Sequence, residues 1–209
     1  MDRLGAAVID FAEAAYDLEL SQEEWLPNLL KRGLPILEQG LGVAGYEYGR
    51  PTDGEGVELL DVHVASGPAD FAERHLHALS TTDPEVLRRQ LLPGSATTGS
   101  EHSRDHPEEL AHYISHVDYC KDVLFITAVD GRGVGVAVVA PLPEITSLSP
   151  HESERWQMLA AHLEAGDRLR RGLAVTEPTD ETEPSLPYGA EAIFDTHCFR
   201  ITDAVGNAK

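Results

Sequence analysis

A chain of 209 residues with 42% hydrophobic and 25% charged side chains has ordinary globular composition, with room for one core of about 150–170 residues plus appendages. Lys and Arg number 16 against 36 Asp and Glu, a net charge of −20. A field of that sign repels phosphate, which argues against nucleic-acid binding by this chain alone. No run of about 18 apolar residues occurs, and Asp10, Glu13 and Asp17 interrupt the N-terminal segment. Cytoplasmic residence without membrane association is the expectation, with Cys120 and Cys198 as free thiols.

In chain order, Leu4, Val8, Phe11, Ala14, Ala15 and Leu18 repeat at helical spacing over residues 2–19. Ser21 and Glu24 form a capping box that opens a second helix running to about Gln39, with Pro35 expected to kink or shorten it. Two strand-like runs follow, 42–48 and 57–65, joined by a turn-rich connector around Asp53-Gly54. In the second run Leu60, Val62 and Val64 alternate with Asp61 and His63, so one face reads as core and the other as wet or functional. Residues 68–92 read as two helices broken near Thr81–Pro84, residues 93–106 as a loop, and 107–119 as a helix. Runs 122–129 and 133–140 are apolar at nearly every position and form a central hairpin signalled by Asp130-Gly131. Ser149-Pro150-His151-Glu152 starts a long helix to residue 173, with Trp156, Leu159, Ala160, Leu163, Leu169 and Leu173 on one side. Residues 175–189, rich in acids, Thr and Pro, read as a linker, and 190–204 as a short hairpin turning at Thr196-His197.

Adjacent hairpins imply an antiparallel sheet, with the terminal helices on one face and the middle helical and loop segment on the other. The fold class is therefore α+β. Three segments carry a resemblance: the hairpin with Asp130-Gly131-Arg132-Gly133, then Leu148-Ser149-Pro150-His151-Glu152, then Leu159-Ala160-Ala161-His162-Leu163 closing on Arg168-Leu169-Arg170-Arg171. Together they resemble the N-terminal GAF-like sensory region of bacterial LuxR-type helix-turn-helix transcription regulators. The resemblance covers about residues 1–174. It implies a GAF-like sensory domain, a linker at 175–189, and at 190–209 an incomplete hairpin that resembles the opening of a PAS-like segment. DNA-binding helices, which in such regulators lie downstream, have no counterpart here. The implied function is a non-catalytic input module that binds a small molecule or a partner. A homodimer through the terminal helices is the expected assembly; an alternative reading is a pure dimerisation or protein-interaction module with a filled interior, for which Trp25 and Trp156 are the interface residues. No cofactor is named by the sequence: neither a cyclic-nucleotide signature nor a bilin-attachment cysteine stands out.

His112, His116 and Cys120 lie at i, i+4, i+8 on a predicted helix. The two histidines can share a metal, the basis of an alternative reading as a metal-dependent enzyme. Cys120 is harder to include, because eight helical residues advance about 12 Å whereas zinc bonds measure about 2.0–2.3 Å. The intervening Tyr113-Ile114-Ser115 supplies no general base, no nucleophile motif occurs, and no catalytic residue is assigned. Most histidines, including His75, His77, His102 and His106, are read as solvated. Sheet parity supplies the ligand-site expectation. Tyr46 and Tyr48 share one face, Asp61 and His63 share one face, and Thr127 follows Phe125. If these faces coincide beneath residues 93–120, Tyr46, Tyr48, His63, Thr127 and His116 line a pocket with aromatic walls and a few polar groups.

Overall fold

The computed structural model describes residues 3–51 and 56–174, together with two short strands at 191–195 and 200–205. Helices α1 (Arg3–Ala15) and α2 (Gln22–Leu37) are followed by strands β1 (Val43–Gly49) and β2 (Glu58–Ser66). Next come α3 (Phe71–Thr81), α4 (Pro84–Leu91), β3 (Ala96–Thr98), α5 (Gly99–His102) and α6 (Pro107–His116). Strands β4 (Asp122–Val129) and β5 (Gly135–Leu142) lead into α7 (Pro150–Ala174), and β6 (Glu191–Asp195) and β7 (Arg200–Val205) close the order.

Five strands pair antiparallel in the order β2-β1-β5-β4-β3. Every residue of β5, and all but the last of β4, is buried. Such strands must be covered on both sides. On one face Val43, Leu124, Ile126, Val136 and Val138 pack with Phe11 of α1, Trp25, Leu29 and Leu30 of α2 and Leu159 and Leu163 of α7. On the other, Tyr46, Tyr48, Val123, Phe125 and Val139 pack with Phe71 and Leu79 of α3, Leu87 and Leu91 of α4 and Tyr113 of α6. The result is an α+β sandwich with terminal helices on one side and the middle segment on the other. Trp25 is fully buried in the first layer and its indole N–H donates to the Ala15 carbonyl at 3.3 Å. It is therefore core, and the interface role read for it does not stand.

Local chemistry explains the boundaries. In α2 the Ser21 amide and hydroxyl both donate to Glu24 (3.2 and 2.7 Å), and in α7 Ser149 does the same to Glu152 (2.9 and 2.6 Å). These bonds satisfy groups that a helix start leaves unpaired, and they hold both carboxyls below the usual range. The helix α2 runs through Pro27 and Pro35 to Leu37, so Pro35 does not end it. The segment 93–106 is not a plain loop but contains β3 and α5. On α7, Leu159, Ala160 and Leu163 are buried, whereas Leu169 and Leu173 are exposed, so the apolar stripe ends sooner than its periodicity predicts.

Two register shifts in the β1–β2 pairing, one between Val43 and Ala44 and one between Glu47 and Tyr48, upset the simple alternation read for β2. Leu59 pairs opposite Tyr48 and packs beneath it, while Leu60 and Val64 are exposed.

The chain divides into two units, residues 1–167 and 168–209. Within the second, β6 and β7 form a two-stranded antiparallel sheet with Ala192 opposite Ala204 and Phe194 opposite Ile201. The turn expected at Thr196-His197 and the linker at 175–189 lie outside the described residues.

One buried carboxylate ties the short β3–α5 segment into the sheet. Asp122, with no exposed surface, accepts from the Ser100 amide and hydroxyl (2.9 and 2.6 Å), the Val123 amide (2.8 Å) and the Thr146 amide (2.9 Å). Thr98 completes the knot by donating to the Thr146 carbonyl at 2.9 Å. Removing the carboxylate strands four donors, at a cost of roughly 3–5 kcal/mol. Asp122→Ala is accordingly expected to lower the thermal midpoint by about 10 °C, and Asp122→Asn by less, both measured by calorimetry.

Candidate functional site

The face covered by α3, α4 and α6 carries the two strand tyrosines and Thr127. Tyr46, Ala137 and Thr127 stand side by side across β1, β5 and β4 on this face, next to Tyr48. Two of the hydroxyls are already used in holding the fold. The Tyr48 hydroxyl lies 2.9 Å from the Leu91 carbonyl and 3.2 Å from that of Ala128. The Thr127 hydroxyl accepts from the Ser95 amide at 2.8 Å and donates to the Ser95 carbonyl at 3.0 Å, clamping the start of β3. Tyr46 is enclosed, and burial pushes its phenol well up from the ordinary value.

His63 does not join them. It pairs with Gly45, one position off the Tyr46–Val62 pair, so it points to the opposite side of the sheet. There it is half-buried and bonded to Asp61 at 2.8 Å. His116 does not join them either. It sits at the half-buried outer seam between α3 and α6, its ring 4.8 Å from those of both His77 and His112. His116 Nδ1 lies 3.0 Å from the His112 carbonyl, and His112 Nε2 lies 3.3 Å from both the Ala78 carbonyl and the Thr81 hydroxyl. Among the described residues no three of His, Cys, Asp or Glu are grouped so as to hold a metal ion. Cys120, past the end of α6, is buried and donates to the Val117 carbonyl at 3.0 Å; burial pushes its thiol up to about 11.

The residue that does occupy the interior is His75, for which solvation was the expectation. It is fully buried on α3, packed between Phe71, Tyr46 and Tyr113 with ring centroids 5.5–6.1 Å away. Its Nδ1 lies 3.1 Å from the Tyr113 hydroxyl, while its Nε2 has no hydrogen-bond partner. Burial pushes the imidazole down to about 4 and the Tyr113 phenol up. A cavity of about 20 Å³ adjoins it, bordered also by Thr82, Gln90, Glu109, Tyr113 and Phe125. That space admits about one water. A sequence signal for this position exists: Phe71, His75, Ala78 and Leu79 repeat at i, i+4, i+7, i+8, the stripe of a core-facing helix.

No protein-family model matches the sequence, and no curated protein matches it. Solved structures do. The chromophore-binding domain of an unusual bacteriophytochrome from R. palustris aligns with a TM-score of 0.51 at 10% identity, covering 83% of this chain and 64% of that one. A GAF domain from Pseudomonas syringae pv. tomato aligns at 0.45 and 17% identity over 82% of this chain and 91% of that one. The phycoerythrobilin-bound GAF domain of a cyanobacterial phytochrome gives 0.45 and 13% over 82% and 97%. The fold is GAF-like.

Within this GAF-like frame His75 has a measurable signature. The unfolded chain takes up a proton on this imidazole near pH 6.5, the folded chain only near 4, so the stability it contributes is present above 6.5 and is lost as pH falls toward 4. The loss is on the order of 3 kcal/mol across that window. His75→Phe is expected to be less sensitive to acidification than the parent between pH 6.5 and 4.5, read as the difference in thermal midpoint.

Proposed function

We propose that this GAF-like domain is a non-catalytic sensory module that binds a small molecule between the sheet and helices α3–α6. The observation that carries this reading is His75. An imidazole held neutral, with one nitrogen unpaired and its ring bordering a small space that Tyr113 and Phe125 also line, is a recognition group in want of a partner. The groups bordering this space include the polar side chains of His75, Thr82, Gln90, Glu109 and Tyr113. Tyr46 packs against the His75 ring from outside that space, while the Tyr48 and Thr127 hydroxyls hold the strands in place. At about 20 Å³ the space is that of a closed form, so a ligand enters by moving the α3–α6 layer and stabilises an opened one. This coupling between occupancy and the position of the covering helices is what a sensor requires.

The resemblance to the input region of LuxR-type regulators supplies the setting. Residues 1–174 receive the signal in the cytoplasm, and output is delivered through a segment or partner outside the sensory domain. The −20 charge supports an output that does not run through DNA contacts of this chain. A thermal-shift screen of metabolites against the full chain tests the reading. At least one compound is expected to raise the midpoint of the parent by several degrees, with the shift abolished by His75→Phe. A ligand whose effect survives that change and responds instead to His63→Ala places binding elsewhere and ends the proposal.

A second role rests on a separate observation. Leu4 and Ile9 of α1 and Met158 of α7 are exposed, each above 40%. Apolar side chains on these terminal helices suit a homodimer. Sedimentation is expected to show a dimer for the parent and a monomer for Ile9→Glu combined with Met158→Glu.

A further inference from the structure

Two cavities meet at one carboxylate. On the surface, a pocket of about 510 Å³ is bordered by Arg88 and Arg89 at the end of α4, His102 of α5, and His106 and Glu109 at the start of α6. Inside lies the space beside His75. Glu109 borders both. Its side chain is only 4% exposed, and Arg89, 45% exposed, donates to it. The Arg89–Glu109 ion pair is therefore the partition between a pocket open to solvent and the polar interior.

The outer pocket has a chemistry of its own. In a chain of net charge −20 it assembles two arginines and two imidazoles around one acid. Arg88 is held at the rim by Glu85 at 2.8 Å. His102, kept toward its neutral form by burial, can still offer one N–H. The Glu109 carboxylate raises the proton affinity of Arg89 and takes one N–H of the guanidinium fork that a carboxylate or phosphate fits. Half-exposed, Arg89 is free to turn to an anion in the pocket. Glu109 also borders the interior cavity, as do Gln90 and Ser103.

We propose that this pocket binds a small organic acid, whose carboxylate or phosphate takes the place of Glu109 on Arg89 and so opens a path to the His75 cavity. The second half rests on the small-molecule reading of the interior; the first half, an anion on Arg89, stands without it.

Benzoate and phenyl phosphate, with benzamide as the uncharged control, are the probes for the first half. Calorimetric titration of the full chain in moderate salt is expected to show millimolar or tighter binding of at least one acid and none of benzamide. Arg89→Gln is expected to weaken the bound acid at least tenfold, whereas Glu85→Gln leaves it equal or tighter. Failure of both acids to bind, or binding indifferent to Arg89→Gln, overturns the anion site. The path is tested separately by diethylpyrocarbonate modification of His75, followed by peptide mass mapping at neutral pH. Glu109→Gln is expected to speed His75 modification about tenfold while the Cys120 thiol stays as slow as in the parent. Unchanged His75 reactivity overturns the path and leaves the anion site intact. A parallel rise at Cys120 means general loosening and overturns the path as well. If Glu109→Gln does not fold, Arg89→Gln is measured in the same way and judged by the same outcomes.

Discussion

The structure depends on three adjacent strands that are apolar on both faces. β1, β5 and β4 lie next to one another, and nearly all their residues are closed to water. A sheet of this kind is stable only between two covering layers, because each uncovered strand face would leave several large side chains hydrated, at about 25 cal/mol for each Å². Both ends of the chain beyond the sheet supply one cover, α1 and α2 from the front and α7 from behind. The hairpin β1–β2 and the hairpin β4–β5 leave the intervening helices to supply the other. Gly166 shows how close the first layer is drawn: a Cβ there would come within 2.1 Å of the Ala15 carbonyl.

The two layers are not chemically equivalent. Beneath α1, α2 and α7 the core is made of Leu, Ile, Val, Ala, Phe and Trp, and its job is closure. Beneath α3, α4 and α6 the layer includes tyrosines, a histidine and the inner side of an ion pair. A buried imidazole with one unpaired nitrogen costs about 1–3 kcal/mol relative to a satisfied one, and a carboxylate as enclosed as Glu109 depends on its arginine. These costs fall in the layer built from short helices of 4–11 residues. The other layer rests on helices of 13, 16 and 25 residues. The domain thus has one cover of long helices with an apolar core beneath it and one assembled from short pieces with polar groups beneath it.

Much of the architecture was legible in the residues themselves. The capping boxes at Ser21 and Ser149 act locally, through side chains three residues apart, and need no tertiary contact to be recognised. The apolar runs at 122–129 and 133–140 declared a central hairpin because doubly covered strands leave no room for alternation. The order of elements then placed the terminal helices together. The chemistry of the site was harder to read. His63 seemed to share a face with Tyr46 because parity within a strand is certain, but parity between strands depends on register, which is a tertiary quantity. One position of offset, Gly45 opposite His63 instead of Tyr46, sent it to the other side.

Sequence by itself determined, through local hydrogen bonding and hydrophobic periodicity, where the longer helices and strands form and that the sheet must be sandwiched. It also determined the strongly negative field, a sum over charges that folding does not alter. Tertiary structure decided which polar residues meet. His75 and Tyr113 are 38 positions apart, and Arg89 and Glu109 are 20 apart, and only the packing of α3, α4 and α6 brings each pair together. Such contacts carry no local signal, because the free energy that sets them is the burial of the apolar stripes on which those residues ride.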